Sequence, residues 1–262
     1  MNWLAVWVLA IVEGLTEFLP VSSTGHMILV SELMGWEQTP LLELFEVFIQ
    51  LGAILAVLTL YYPRFLRGPA IYAKLLVAFL PTGIVGFLAY QSIKDYLFNA
   101  VTVSLSLVIG GLVLILLDRW SDRRESSHDS IEAMPYSSLI KVGFIQCISM
   151  VPGVSRAAAT ILGGVSVGLS RVLAAELSFL LALPTMAAAT GYDMLKQYDK
   201  IPTDAWPMLL TGSLVAFGVA LLAVKTFVAV ISRFGFKAFG YYRIAVGLLF
   251  LVGYVWGGWT LD

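Results

Sequence analysis

The sequence predicts an all-α polytopic membrane protein built from two inverted-topology repeats, each a re-entrant helix hairpin plus about three transmembrane helices. Three observations carry this. Of the 262 residues, 59% are hydrophobic and only 13% charged, whereas a soluble domain carries roughly 25% charged residues; the deficit runs the whole length, so this is not a soluble domain on one anchor. Apolar runs near the length of a membrane span recur along the chain. The two halves also match each other at a nearly constant offset.

Taken in order, apolar spans are expected at residues 43–62, 70–91, 101–118, 172–193, 207–231 and 239–259. Regions 2–34 and 138–168 behave differently. Each is interrupted near its middle by proline and small hydroxyl residues, and each resulting half is short for a full span. A helix–turn–helix that enters and leaves by one side fits better, because irregular backbone at membrane depth is tolerated where it is buried in protein or lines a cavity. The opening residues Met1-Asn2-Trp3-Leu4 lack a basic stretch, so no cleavable signal is expected and the first helix should remain. The polar run from Asp118 to Pro135 reads as a solvated connector. The whole chain, 1–262, is then one membrane domain: repeat 1 at 1–118, a linker loop at 119–137 and repeat 2 at 138–262.

The register of the repeat rests on four matches. Pro20 corresponds to Pro152, Glu46 to Glu176, Lys94 to Lys225, and VIGGLVLIL at 108–116 to IAVGLLFLV at 244–252. Three crossings per half is odd, so the second half is inverted, and inverted repeats place their central site near the midplane where broken helices meet. With both termini on one side, eleven of the sixteen Lys and Arg residues, Arg243 among them, fall on the opposite side; only Lys94, Lys196 and Lys200 fall on the terminal side. The positive-inside rule therefore puts both termini outside the cytoplasm.

A net charge of −1 argues against nucleic acid as a partner. The single cysteine, Cys147, allows no internal disulfide and reads as a small core residue. Gly83, Gly86, Gly110 and Gly111 suit close helix packing, within a subunit or between the two copies of a homodimer.

Chemistry concentrates in the two breaks. Glu13 and Glu17 are four residues apart and share a helix face. In an apolar run such groups are costly and usually functional; two carboxylates there can hold a divalent cation or share a proton as acid and base. Pro20-Val21-Ser22-Ser23 looks like a helix start, and Pro152-Gly153-Val154-Ser155 opens a second one in the same way. Helix N-termini attract anions, and two of them can converge on one. His26 lies three residues after Ser23 on the predicted helix, within reach of it. Arg156 is an intramembrane cation suited to phosphate oxygens, or to a structural carboxylate such as Glu46 or Glu176. Together these describe an anion site with a metal, which suits a phosphate ester or diphosphate. Glu46, Gln50 and Glu176 form a second polar tier that either orients the site or pins helices.

At these residues the chain resembles the undecaprenyl-diphosphate phosphatases of the bacitracin-resistance family. The resemblance is carried by VEGLTEFLPVSSTGH at 12–26, FEVFIQLGAILAV at 45–57, PGVSRAAATI at 152–161 and AAELSFLLALP at 174–184, and it covers essentially the whole chain. Ala157 departs from it, standing where many members have serine. The resemblance implies a multi-pass phosphatase of the bacterial inner membrane that removes the terminal phosphate of a polyprenyl diphosphate lipid, recycles the cell-wall carrier and confers bacitracin resistance. It also implies dependence on a divalent cation, Mg2+ or Ca2+. The expected assignment places the metal on Glu13 and Glu17, and catalysis on Glu17, Ser23, His26 and Arg156, with Ser23 as nucleophile and His26 as its base; His26 attacking phosphorus, or activating a water, is the rival. Substrate binding falls to Ser22, Thr24, Gly153, Ser155, Arg156 and Thr160. The site should open to the periplasm, with the tail left among membrane lipids. A transporter or flippase of a lipid phosphate is the alternative, since inverted repeats with broken helices are common in transporters.

Overall fold

The structure is a computed structural model. It describes residues 1–66, 68–97, 99–121, 126–197 and 202–256, with backbone only at 90–96, 100, 197, 255 and 256. Arg67, Lys94, Arg123, Arg124 and Lys200 from the charge count, and the end of the 239–259 span, lie outside the described side chains. Among the described residues every regular element is helical. Six helices are long: α3 (Pro40–Leu66), α4 (Ala70–Leu97), α5 (Ala100–Ser121), α8 (Arg171–Gln197), α9 (Trp206–Phe234) and α10 (Lys237–Trp256). They coincide with the six expected spans, and five of them are long and apolar enough to cross a membrane. Four are short: α1 (Trp3–Thr16), α2 (Ser23–Leu33), α6 (Tyr136–Gln146), which runs on into a 3-10 turn at Cys147–Met150, and α7 (Arg156–Ser166). These make the two interrupted regions into two hairpins, α1–α2 and α6–α7.

Local chemistry sets the ends. Asn2 caps α1, its side chain accepting from Ala5 N at 2.8 Å. Gly235, at φ 67°, ends α9 in a conformation that favours glycine. Proline lies inside α3, α4 and α8 at Pro63, Pro81 and Pro184, which is tolerated where neighbouring helices satisfy the freed carbonyls.

Each hairpin packs on a long helix of the other half: α1 on α9, and α6 on α4. Both contacts need a glycine. A Cβ on Gly14 would lie 2.7 Å from Ala216 O, and one on Gly143 would strike Ala78 O and come within 2.8 Å of Pro81 Cγ. Gly110 and Gly111 serve the α5–α10 contact, where Gly111 faces Gly240 O and Ile244. Small residues let helix backbones approach closely, and that packing replaces the hydrophobic drive that lipid cannot supply. At the centre, the Phe18 ring meets Phe179 at 5.9 Å, and Phe179 meets Phe227 at 6.0 Å. Large apolar residues such as Phe87, Leu88 and Leu195 remain exposed, as expected of a surface whose solvent is lipid.

Two expectations change. The 119–137 loop is not simply solvated: Ile131 and Met134 are fully buried, Lys74 Nζ donates to Met134 O, and Arg64 pairs with Glu132 at 3.2 Å. Ile131 and Met134, three residues apart, join the core beside Arg64 of α3 and Lys74 of α4, a seat that the polar composition of the segment does not reveal. Arg243, counted among interfacial cations, has 0% of its surface exposed. It lies more than a turn inside α10, where carbonyls of three other segments surround it, so it belongs in neither column of the charge count.

Candidate active site

The two breaks face each other in the protein interior. Residues 17–22 turn the chain between α1 and α2, and α2 starts at Ser23; residues 151–155 do the same before α7. The two starts are built alike. Ser22 caps α2 at φ 73° with its Oγ accepting from Gly25 N at 3.3 Å. Ser155 caps α7 at φ 76° with its Oγ accepting from Ala158 N at 3.1 Å. These are the two non-glycine residues at positive φ among the described residues. Strain of about 1–3 kcal/mol per residue is characteristic of functional sites. Gly153, at φ 89°, lets the second break press against α5, where a Cβ would meet Val103 O and Ser106 Cβ.

Glu17 joins the halves. Its Oε2 accepts from Ser23 Oγ at 2.5 Å, and its Oε1 accepts from Arg156 Nη2 at 2.8 Å. The ion pair is mostly out of solvent, with 11% and 8% of the two side chains exposed. Arg156 is further held by Ser178 O at 2.9 Å, by Met186 S at 3.3 Å and by the Phe18 ring, 5.5 Å from its centroid. With all these contacts made, its Nε–H is buried without a partner. Both oxygens of Glu13 are fully buried and receive no hydrogen bond from a protein donor; the Glu17 carboxyl group stands against them, and Glu46 and Arg156 lie within electrostatic range.

Some sequence-predicted residues meet and others do not. Ser22, Ser23, Ser155, Glu17 and Arg156 converge as described. The expected Ser23–His26 hydrogen bond is not made: His26 Nδ1–H donates to Ser22 O at 2.7 Å, and Nε2 shares a hydrogen bond with the Tyr242 hydroxyl, also at 2.7 Å. The two rings stack at 5.5 Å and 9°. A histidine three residues on from a serine faces it only if the backbone turn and rotamer allow it; here the carbonyl of the strained cap is the nearer acceptor. Thr160 is fully buried, its hydroxyl set against Arg156 O at 2.9 Å and Ser178 Oγ at 2.6 Å, so it braces the start of α7 and has no hydrogen to offer a ligand. Thr24 is half-buried at the start of α2. In the second tier, Glu176 accepts from Arg64 Nε at 2.5 Å and Gln50 from Thr190 at 3.5 Å; both pin helices. Arg156 takes Glu17, rather than Glu46 or Glu176, as its carboxylate.

Sequence reasoning missed Tyr242, Arg243 and Ser178. A usable signal existed for the first two: a Tyr-Arg pair some 9 Å inside an apolar helix, at 1.5 Å per residue, is an intramembrane polar pair like the ones singled out in the breaks.

A family profile described as bacitracin resistance protein BacA matches residues 6–249, which takes in both breaks and every residue of the site. The chain belongs to this family. Relatives named undecaprenyl-diphosphatase cover nearly all of it. The protein of Persephonella marina is 51% identical over 94% of this chain and 96% of its own length; that of Bdellovibrio bacteriovorus is 47% identical over 96% of each; and that of Aquifex aeolicus is 44% identical over 95% and 97%. The BacA match over residues 6–249 includes the Glu17–Ser23–Arg156 bridge.

Proposed function

We propose that this chain is a membrane undecaprenyl-diphosphate phosphatase, cleaving the terminal phosphate from the diphosphate lipid and returning the monophosphate carrier to cell-wall synthesis. One observation carries the assignment: beside the meeting of two helix N-termini, a buried guanidinium N–H has no acceptor and a buried carboxyl group receives no protein donor. The donor at Arg156 Nε wants an anion. The acceptor at Glu13 wants a cation or a proton. A diphosphate with a divalent cation supplies both.

In this reading Ser23 Oγ attacks the terminal phosphorus, and its proton passes to Glu17, the group it already touches. The bond between that phosphorus and the bridging oxygen breaks, and the lipid monophosphate leaves. Water then hydrolyses the phosphoserine and releases inorganic phosphate. Arg156 Nε–H and the free N–H groups of the α2 and α7 starts bind the oxygens on which charge develops, and preorganised donors of this kind are usually the largest contribution to such catalysis. Glu17 replaces His26 as the base for Ser23. His26 is engaged at both nitrogens, so its role is to hold the Ser22 carbonyl and the cap. A hard divalent cation, magnesium or calcium, takes oxygen ligands and would neutralise phosphate charge; Glu13 would be the carboxylate to hold it, with Glu17 beside it already committed to Ser23 and Arg156.

The matched caps at Ser22 and Ser155, and the exchange of hairpins between halves at Gly14 and Gly143, support reading the chain as two inverted repeats over 1–118 and 138–262. The charge distribution supports termini and site opening on the periplasmic side of the inner membrane.

Purified protein in detergent should release phosphate from a polyprenyl diphosphate, and Arg156→Ala and Glu17→Ala should abolish that release. Detergent removes the two compartments, so a pure transporter would give no signal. Normal turnover by both variants would refute the site. A trapped phosphoenzyme should carry its phosphate on Ser23; phosphate on His26 would overturn the serine route.

A further inference from the structure

Arg243 is an unusual residue to find where it is. It is fully buried beside both breaks, and among the described residues no carboxylate pairs with it. Its five N–H groups are all spent on backbone carbonyls. Nη1 donates to Pro20 O and to Val154 O, each at 2.9 Å. Nη2 donates to Gly153 O at 2.8 Å and to Ser106 O at 3.0 Å. Nε reaches Leu107 O at 3.4 Å. The space for the guanidinium comes from Gly110 on α5, where a Cβ would strike Nη2 and lie 2.8 Å from Cζ.

The carbonyls are not a random set. Pro20 stands two residues before the strained cap Ser22. Gly153 and Val154 stand immediately before the strained cap Ser155. Ser106 and Leu107 belong to α5, against which Gly153 packs. One rigid, planar group therefore ties the first break, the second break and α5 together. The same two breaks are joined a second time by Glu17, which ties Ser23 to Arg156. The two bridges close a ring of restraints around the reacting groups. Only arginine can serve here: lysine has three donors on a flexible stem, against five in a fixed fork. Carbonyls released inside the protein would have no water to turn to.

We infer that Arg243 is a positioning residue for the phosphatase reaction: it fixes the distance between the two half-sites, so that Ser23 and Arg156 address one phosphorus, without itself touching substrate. This rests on the phosphatase reading above. A displacement of about 1 Å in such a site costs on the order of 100-fold in rate, whereas the lipid tail and Arg156 still bind the substrate.

Two variants test it, each purified in detergent and assayed for phosphate release from polyprenyl diphosphate beside the wild type. Arg243→Lys keeps the charge and loses the fork. Gly110→Ala keeps Arg243 and displaces its guanidinium from α5, a helix that carries none of the reacting groups. The expected result is a fall in kcat of about 100-fold for Arg243→Lys, a smaller fall for Gly110→Ala, KM within about threefold of wild type, and thermal unfolding midpoints close to wild type. Unchanged kcat in both variants overturns the inference. So does a rise in KM with kcat intact, which would make Arg243 a substrate ligand, and so does loss of the folded protein in both, which would make it a structural staple only. An inactive wild type would instead remove the phosphatase reading, and this inference with it.

Discussion

Glu17 uses its two oxygens on two different segments, one on the Ser23 hydroxyl and one on the Arg156 guanidinium. In Glu17→Gln the amide oxygen can still accept from Arg156 and the NH2 can donate to Ser23 Oγ, but the neutral amide cannot take the Ser23 proton and no longer pairs with the guanidinium as an ion. Phosphate release should fall by about 10²–10⁴-fold, the range for loss of a general base, and a steady-state assay in detergent reads this directly. The caps give a second prediction. Ser155 holds a positive φ and also satisfies Ala158 N. Ser155→Ala keeps the strain and removes the cap, so it should cost about 1 kcal/mol; Ser155→Gly relieves the strain and should cost only a few tenths. Thermal unfolding of the two variants should rank them in that order, and the reverse order would mean that the cap is energetically idle.

The elements owe their places to small residues rather than to helix propensity. α1 and α6 are too short to be stable alone and are held by close contact with α9 and α4. A leucine at Gly143 would overlap Ala78 O and Pro81, and overpacking of this kind costs typically about 1–3 kcal/mol. Gly143→Leu should therefore lower the unfolding midpoint in detergent, with activity falling alongside because α6 carries the second break; an unchanged midpoint would show that the helices part freely there. Half-span lengths and the Pro-x-x-Ser interruptions announce both hairpins in the sequence. The partners of each hairpin are not announced, because the glycines that permit them look like any others in a chain with 23 of them.

For the molecule as a whole, the proposed orientation rests on the charge distribution. Glu37, exposed between α2 and α3, and Asp129, exposed in the central loop, should lie on opposite faces of the membrane. With Cys147 replaced, a membrane-impermeant maleimide applied to intact cells should label Glu37→Cys and spare Asp129→Cys. Labelling of Asp129→Cys alone would invert the topology and sink the periplasmic opening. The residue count behind this orientation survives the removal of Arg243, because the imbalance it leaves is still ten against three.

What the sequence determined by itself was the medium, the spans and the two breaks. A chain this apolar can satisfy its backbone only in helices, and the few ionisable groups left inside it, Glu13, Glu17, His26 and Arg156, stand out because each is costly there. The pairing of those groups was decided by tertiary structure alone. Spacing put His26 within reach of Ser23, yet the turn at Ser22 gave that histidine a carbonyl and a tyrosine from α10, and gave Ser23 to Glu17. Arg243 looked like an anchor at the membrane edge until five carbonyls from three segments were seen around it. Sequence spacing fixes neighbours along one helix; which side chain satisfies which buried donor depends on where other helices bring their carbonyls, and no local pattern encodes that.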